Sequence, residues 1–262
     1  MPNKNEKISL ASRIVYRDEN CVVVNKISGE AVEGAREGMT DLSLELAEFM
    51  SITKNSSALA DETSVLEKSP LWPRPAHRLD VPATGCSLFA CNEGSLAFLN
   101  KVFAGGTKDR VQKRYWAITE KPALAESNIA DEGELVHWLK YDNKKNKSYI
   151  YDEEAPDTKK AVMKYRIIGN GDNYVFMEVD LITGRRHQIR AQLAKAGMCV
   201  KGDLKYGARR SEKNGGIRLH AHSLVFPNPA RKTEKISVTA LPPVMDNLWD
   251  SFKKAYMDKI DS

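Results

Sequence analysis

The stretch that decides the fold is His-Arg-Leu-Asp-Val-Pro-Ala-Thr-Gly-Cys-Ser-Leu-Phe-Ala, residues 77–90. A polar cluster opens it, and the apolar run that follows predicts a strand ending at residues 88–91. Asp80 adjoins this apolar sequence, where an isolated buried charge is very costly and requires a partner. An arginine on a helix is a natural partner, because its guanidinium stays charged and keeps the acid ionised. A structural ion pair and a catalytic carboxylate are equally open interpretations of these residues.

Two further polar clusters lie in apolar surroundings. Lys-Arg-Tyr, residues 113–115, opens a predicted strand, and Thr-Gly-Arg-Arg-His-Gln-Ile-Arg, residues 183–190, lies where a strand turns into a helix. Side chains three and four apart share a face of a helix. Arg186, His187 and Arg190 are therefore predicted to lie within one turn, opposite a buried stripe that contains Ile189 and Leu193.

The remaining pattern predicts an α+β protein with a sheet as its main element. Predicted strands cover residues 14–16, 21–25, 115–119, 161–168, 174–182, 223–226 and 235–240, and predicted helices cover residues 41–50, 95–103, 186–196 and 244–257. Residues 53–70 are polar and mixed and are predicted to form a loop or insertion. Helices occur singly, without a strict strand–helix–strand rhythm, which favours α+β over a parallel α/β fold. A single domain over residues 1–262, closed by a C-terminal helix within residues 243–262, is expected.

Charge is unevenly distributed along the 262 residues. The net charge is +5, but residues 1–100 carry a net −4 and residues 101–262 a net +9. A basic face is typical of polyanion binders, and a solvated lysine-rich surface explains the same pattern equally well. Four scattered cysteines and the lack of a long apolar run predict a protein of the reducing cytoplasm, with no disulfide scaffold and no membrane span.

Several common chemical motifs are absent from the sequence. It contains no Gly-x-Gly-x-x-Gly, no Walker loop and no Gly-x-Ser-x-Gly elbow. His220 and His222 place two imidazoles on one side of a predicted strand, but no third ligand stands nearby, so a structural role is favoured over a metal site.

Five blocks, in order, resemble the RluA-type family of RNA pseudouridine synthases. The first block contains Ile-Val-Tyr-Arg-Asp at residues 14–18 and Val-Val-Val-Asn-Lys at residues 22–26, and the second is the His-Arg-Leu-Asp stretch. The third block is Lys-Arg-Tyr-Trp-Ala at residues 113–117, and the fourth is the 183–190 block followed by Gly197, Gly202-Asp203 and Tyr206-Gly207. Leu-His-Ala-His at residues 219–222, with Phe226-Pro227, completes the series. The chain departs from the family pattern at Ala83-Thr84-Gly85, where Thr-Ser-Gly is usual.

The resemblance implies a mixed, mostly antiparallel sheet flanked by helices and loops, without an N-terminal S4 domain. It implies an isomerase that converts a specific uridine in structured rRNA or tRNA to pseudouridine by flipping the base, breaking the N1–C1′ bond and forming C5–C1′. Asp80 would act at the sugar as nucleophile or base, and Tyr115 would be the general base for the C5 proton. Arg190 would hold Asp80, and Arg78 would fill the gap left by the flipped base.

The same blocks assign RNA binding to the residues around these three catalytic side chains: Lys113, Arg185, His187 and Gln188, together with Arg78. The reaction has no net redox change and no hydrolysis, so no cofactor and no metal are expected. The expected partner is an RNA stem-loop, with no DNA and no membrane, and the expected state is a monomer.

Two other classes of function can be separated by simple tests. An RNA-binding module that has lost catalysis would show a changed Asp80, Tyr115 or Arg190, and the sequence retains all three. A metal-dependent RNA hydrolase would need additional clustered carboxylates or histidines, and its activity would not survive strong chelation.

Overall fold

The computed structural model describes residues 8–55, 72–105, 110–121, 130–213 and 215–260. Its strands are β1 (Ile14–Arg17), β2 (Cys21–Lys26), β3 (Arg74–Pro75), β4 (Thr84–Ala90), β5 (Gln112–Glu120), β6 (Glu132–Asp142), β7 (Lys147–Tyr151), β8 (Lys159–Asn170), β9 (Tyr174–Leu181), β10 (Leu219–Pro227) and β11 (Lys235–Thr239). Its helices are α1 (Leu10–Arg13), α2 (Leu42–Asn55), α3 (Glu93–Phe103), α4 (Gln188–Lys195) and α5 (Asn247–Ile260), with a 3-10 turn at Leu204–Tyr206. In these residues, no helix is both long and apolar enough to cross a membrane.

The described strands form one sheet in the order β1-β2-β4-β10-β5-β9-β8-β6-β7, with β3 also paired to β4 and β11 to β10. Strands β4 and β10 run parallel. The other pairs are antiparallel, including the central pairs of β5 with β10 and with β9. The prediction of an α+β fold with a mixed, mostly antiparallel sheet is therefore confirmed.

Helices cover both faces of the sheet. On the face that carries Tyr115, which we call the front face, the core takes in Leu46 of α2 and Leu193 of α4. On the opposite, back face, Leu99 of α3 packs near β4, and Phe252 of α5 packs against Trp116 of β5. Alternation along each strand separates these two apolar layers, as a half-buried strand requires.

One hairpin was missed, and the bounds of two predicted elements need correction. The hairpin of β6 and β7 was not predicted, although it forms the outer end of the sheet. Helix α4 begins at Gln188 rather than at residue 186, because His187 adopts a left-handed φ of 53° and cannot continue a right-handed helix backwards. Helix α2 extends through residue 55, so the predicted loop cannot begin at 53, and the rest of that prediction lies outside the described residues.

A glycine allows β4 and β10 to pair in parallel. Gly85 has a φ of +116°, and a Cβ at this position would lie 2.4 Å from the carbonyl oxygen of Ala221. Only glycine is compatible with that approach. The register pairs Gly85 with Ala221, and Ala221 in turn with Tyr115. Strand β4, which begins four residues after Asp80, is thereby fixed two strands away from the strand of Tyr115.

Candidate active site

The backbone around Asp80 is held by a turn and by a buried lysine. The amide of Ala83 donates to the Asp80 carbonyl at 3.0 Å and closes the turn. The Nζ of Lys26, fully buried at the end of β2, donates to the carbonyls of Ile27, Val81 and Ala83 at 2.9, 3.0 and 2.8 Å. Burial lowers the pKa of Lys26 to about 8. Its three bonds tie two carbonyls of the segment after Asp80 to the end of β2, and they fix the segment that presents Asp80.

Arg190 bridges Asp80 and a second carboxylate. Its Nη1 donates to Asp80 Oδ2 at 3.0 Å, while its Nε and Nη2 donate to Asp203 at 2.6 and 2.8 Å. The side chains of Arg190 and Asp203 are 4% and 1% exposed, whereas that of Asp80 is 22% exposed. A bidentate arginine–carboxylate pair has a fixed geometry. Asp203 therefore orients the guanidinium, and the guanidinium presents Asp80 to solvent.

Tyr115 lies beside this carboxylate as a buried, neutral phenol. Its side chain belongs to the front-face core. Burial raises the pKa of Tyr115 well above its usual value, and the negative charge of Asp80 raises it further. The hydroxyl is therefore protonated at neutral pH, and it is available as a proton donor next to Asp80.

His187 closes another side of the site. Its Nε2 lies 3.9 Å from Asp80 Oδ1, and its Nδ1 lies 3.0 Å from the hydroxyl of Tyr206. That hydroxyl accepts from the Ser148 amide at 2.8 Å, and its other possible acceptor, the Ser148 carbonyl, is 3.4 Å away. We therefore assign the Tyr206 proton to the shorter contact with Nδ1, which leaves the N–H of His187 on Nε2, facing Asp80.

Burial keeps the His187 ring neutral. It lowers the pKa of His187 to about 4, although the charge of Asp80 acts in the opposite direction. The rings of Tyr141 and Tyr206 both meet the imidazole edge-on, at centroid distances of 5.8 Å. His187 was predicted to bind RNA; its geometry makes it a buried, uncharged side chain beside Asp80.

Three of the predicted RNA-binding side chains are accessible from solvent. Arg78 and Arg185 are exposed, and Lys113 is partly buried, with its Nζ beside Gly184 and 6.0 Å from the ring centroid of Phe103. Burial lowers the pKa of Lys113, and the positive charge of Arg185 lowers it further. Two cations held close together are a suitable site for an RNA phosphate.

Gln188 is engaged inside the protein. Its Oε1 accepts from the Thr183 hydroxyl at 2.7 Å and from the Arg185 amide at 3.0 Å. Its Nε2 donates to Val162 O and to Gln192 Oε1 at 3.1 and 3.0 Å. The side chain is buried, and these bonds use both of its polar atoms. This geometry assigns Gln188 to holding the turn that precedes α4 and corrects the prediction that it contacts RNA.

The histidines singled out in the sequence are structural in this geometry. His220 Nδ1 lies 2.8 Å from the Thr84 hydroxyl, and His220 Nε2 lies 2.8 Å from Ala240 O. His222 Nδ1 shares the Ala240 carbonyl at 2.8 Å, and its ring stacks on Trp116 with a centroid distance of 3.8 Å. These bonds link β10 to its neighbours beneath the site.

Sequence reasoning gave no role to Asp203, Tyr206 or Lys26. Asp203 and Tyr206 were noted only as parts of a matching block, and Lys26 only as the end of a strand. One signal was available for Lys26, because a lysine that closes a run of buried valines needs acceptors. The partners of Asp203 and Tyr206 lie on other segments and could not be identified without the fold.

The site as a whole defines a carboxylate-dependent enzyme. A partly exposed aspartate is fixed by a buried arginine, and a neutral phenol and a neutral imidazole flank it on one face of a large mixed sheet. This arrangement can attack an electrophilic carbon or remove a proton, and it can pass a proton to or from a bound base.

Comparison with known proteins identifies the family. Residues 20–195 match the family model described as RNA pseudouridylate synthase, so the chain belongs to the RluA-type RNA pseudouridine synthases, which are isomerases that act on RNA. It is 29% identical to an uncharacterized RNA pseudouridine synthase of Zymomonas mobilis over 90% of this chain and 94% of that protein. It is 28% identical to tRNA pseudouridine synthase C of Haemophilus ducreyi over 90% of this chain and 92% of that protein.

A solved structure shares the fold. The human RNA pseudouridylate synthase domain containing 4 superposes with a TM-score of 0.66 at 20% identity, covering 95% of this chain and 94% of that chain.

Proposed function

We propose that this enzyme isomerises a uridine in a structured tRNA or rRNA after flipping it out of its stack, with Asp80, Tyr115 and Arg190 as its catalytic residues. The observation that carries the proposal is the ion pair of Arg190 and Asp80, which presents one partly exposed carboxylate beside a buried phenol. The tRNA alternative is supported by the likeness to a tRNA pseudouridine synthase over nearly the full length of both chains.

The proposed reaction balances within the substrate. Asp80 either attacks C1′ or removes the 2′ proton, and the electrons of the N1–C1′ bond go to the uracil, which leaves as an anion. After the base has turned, C5 bonds to C1′; in the first route the C1′–O bond to Asp80 breaks, and in the second Asp80 returns the proton to C2′. A proton must then move from C5 to N1. Tyr115 is protonated in the free enzyme, so it can donate to the uracil anion first and then take the C5 proton as a phenolate. No proton is gained or lost overall.

The accessible basic side chains near Asp80 suggest how the RNA substrate is held. Arg78, two residues before Asp80, can enter the gap in the stack that a flipped base leaves, because it is exposed. Lys113 and Arg185 can hold the phosphate next to the flipped nucleotide. We also propose that the enzyme acts as a monomer in a reducing compartment, in line with the free thiols of Cys21, Cys86 and Cys199.

Tritium release from RNA that carries 5-tritiated uridine tests this function. Transfer and ribosomal RNA fractions come from cells that lack the gene, so that the target uridine is unmodified. We expect release by the wild type from one fraction, and none by Asp80→Asn, whose RNA affinity stays close to that of the wild type. Loss of both turnover and RNA affinity in Asp80→Asn would show that the site is misassigned. Release that needs a metal and stops on chelation would contradict the mechanism.

A further inference from the structure

The back face of the outer hairpin carries an exposed aromatic surface. Cross-strand register puts Trp138 of β6 between Lys160 of β8 and Tyr151 of β7, and it puts Tyr149 beside Lys140 in the next row. Directly opposite residues of a sheet share a face. On the front of the same strands, Leu139, Ala161 and Ser148 are buried; the aromatic rows therefore point to the back, where Tyr149 and Tyr151 are 38% and 41% exposed.

Lysines lie over two of these rings. The Nζ of Lys160 is 5.8 Å from the ring centroid of Trp138, and the Nζ of Lys145 is 5.8 Å from that of Tyr149. Lys140 is paired with Asp157 at 3.0 Å, so its charge is largely compensated. Rings that alternate with ammonium groups suit a ligand that alternates flat bases with phosphates, namely single-stranded nucleic acid.

The same type of pair recurs at Tyr141 on the front of the hairpin and at Lys147, the first residue of β7. The guanidinium of Arg186 lies 4.3 Å from the ring centroid of Tyr141, and the Nζ of Lys147 lies 5.1 Å from that of Tyr206, the residue that contacts His187. Strand β7 ends the order of strands in the sheet. A strand of RNA that leaves the site past Tyr141 therefore meets the edge at β7, and the back-face rings lie on the other side of that edge.

We propose that Trp138, Tyr149 and Tyr151, with Lys145 and Lys160, form a second RNA-binding surface, which we call the hairpin platform. It binds a single-stranded segment that flanks the target uridine, with bases stacked on the rings and phosphates on the lysines. The inference rests on the proposed function, because it concerns how the same substrate is held. Its experimental test has a readout that does not need turnover.

The double variant Tyr149→Ala/Tyr151→Ala tests the platform. Both rings are exposed, so their removal leaves the core intact. Stacking of one base on one ring predicts a Kd for single-stranded oligouridylate about 10-fold weaker. With the RNA fraction that responds in tritium release, KM rises by a similar factor while kcat is unchanged, and an isolated stem-loop without flanking nucleotides shows no change. Met257→Ala/Ile260→Ala removes two exposed apolar side chains from α5 and serves as the matched control.

The lysines of the hairpin platform allow a second, independent test. In Lys145→Gln/Lys160→Gln, the dependence of log Kd on log salt becomes shallower by about 1 to 2, because fewer counterions are released. Unchanged oligouridylate affinity in the tyrosine variant overturns the platform and leaves the isomerase assignment in place. An equal rise of KM on the stem-loop also overturns it, since the rings would then serve the front site. If the wild type releases no tritium while the tyrosine variant still binds more weakly, the platform stands and the proposed reaction fails.

Discussion

Asp203→Asn removes one charge from the pair that orients Arg190 and leaves the shape of the side chain nearly unchanged. Asp203 accepts two hydrogen bonds from the guanidinium, at 2.6 and 2.8 Å. An asparagine keeps one acceptor and turns its NH2 group toward a second donor. One charge-assisted hydrogen bond, about 1.5–3 kcal/mol, is therefore lost in a buried site, and the two donors repel each other. We expect the free energy of unfolding to fall by about 2–4 kcal/mol.

The effect on catalysis follows from the freedom that Arg190 gains. Without Asp203 as a bidentate partner, the guanidinium can rotate, and Asp80 loses its fixed position. Misplacement of a reacting group by about 1 Å can cost about 100-fold in rate. We therefore expect kcat for tritium release to fall about 10- to 100-fold at a temperature where the variant is fully folded, with KM within about 3-fold because the RNA contacts lie elsewhere.

Asp152→Asn is the matched control. Asp152 pairs with Lys195, also on α4, at 3.1 Å, but its side chain is 69% exposed. The same change of atoms and charge should alter stability by at most about 0.5 kcal/mol and leave kcat unaltered. Urea unfolding and single-turnover tritium release would be measured on both variants. A destabilised Asp203→Asn enzyme with wild-type kcat would refute the reasoning, because Asp203 would then serve the fold alone.

Three further outcomes are expected. Gly85→Ala forces a Cβ against the Ala221 carbonyl and should lower the free energy of unfolding by about 3 kcal/mol or more; a melting temperature equal to that of the wild type would contradict this. Tyr206→Phe removes the hydrogen bond to the His187 ring and should lower kcat about 10-fold with KM constant. An unchanged kcat would show that His187 does not help to position Asp80. Burial lowers the pKa of His220 to about 3, so the unfolded chain takes up a proton below about pH 6.5 while the folded one does not. His220 alone should then contribute a loss of about 1.4 kcal/mol per pH unit to the stability measured by urea unfolding as the pH falls from about 6.5 toward 4.5. His187, whose pKa is also lowered, adds to this slope, and a flat profile would count against the burial of both rings.

Much of the sheet could be predicted because alternation and burial agree along its central strands. Val175, Met177 and Val179 of β9 alternate with side chains of the other face, and both sets pack as the pattern requires. The partner of Asp80 was predictable in kind, since a carboxylate in apolar sequence needs a cation. The resemblance then selected Arg190, which the structure places at 3.0 Å.

The outer hairpin could not be predicted in the same way. Strands β6 and β7 bury one face under α4 and the turn at Leu204–Tyr206, and their other face carries lysines and exposed tyrosines. A strand that is apolar on one side only and is flanked by charged residues is difficult to distinguish from a polar loop when it is predicted from one sequence. The start of α4 was missed because the left-handed backbone of His187 depends on its contacts with Tyr206 and Tyr141, which are distant in the chain.

The residues that position Asp80 are harder to recognise in the sequence than the catalytic residues themselves. Lys26 fixes the backbone of the loop, Asp203 fixes the arginine, and Tyr206 fixes the imidazole. Lys26 ends β2, whereas Asp203 and Tyr206 share the turn that precedes β10, and all three act on Asp80 through other groups. Each is held by hydrogen bonds whose partners are defined only after the sheet has formed. A substitution at any of them should therefore lower kcat and stability together. Asp80→Asn should lower kcat far more than stability, because Asp80 is partly exposed and Arg190 keeps its bidentate pair with Asp203, and this contrast distinguishes the group that reacts from the groups that hold it.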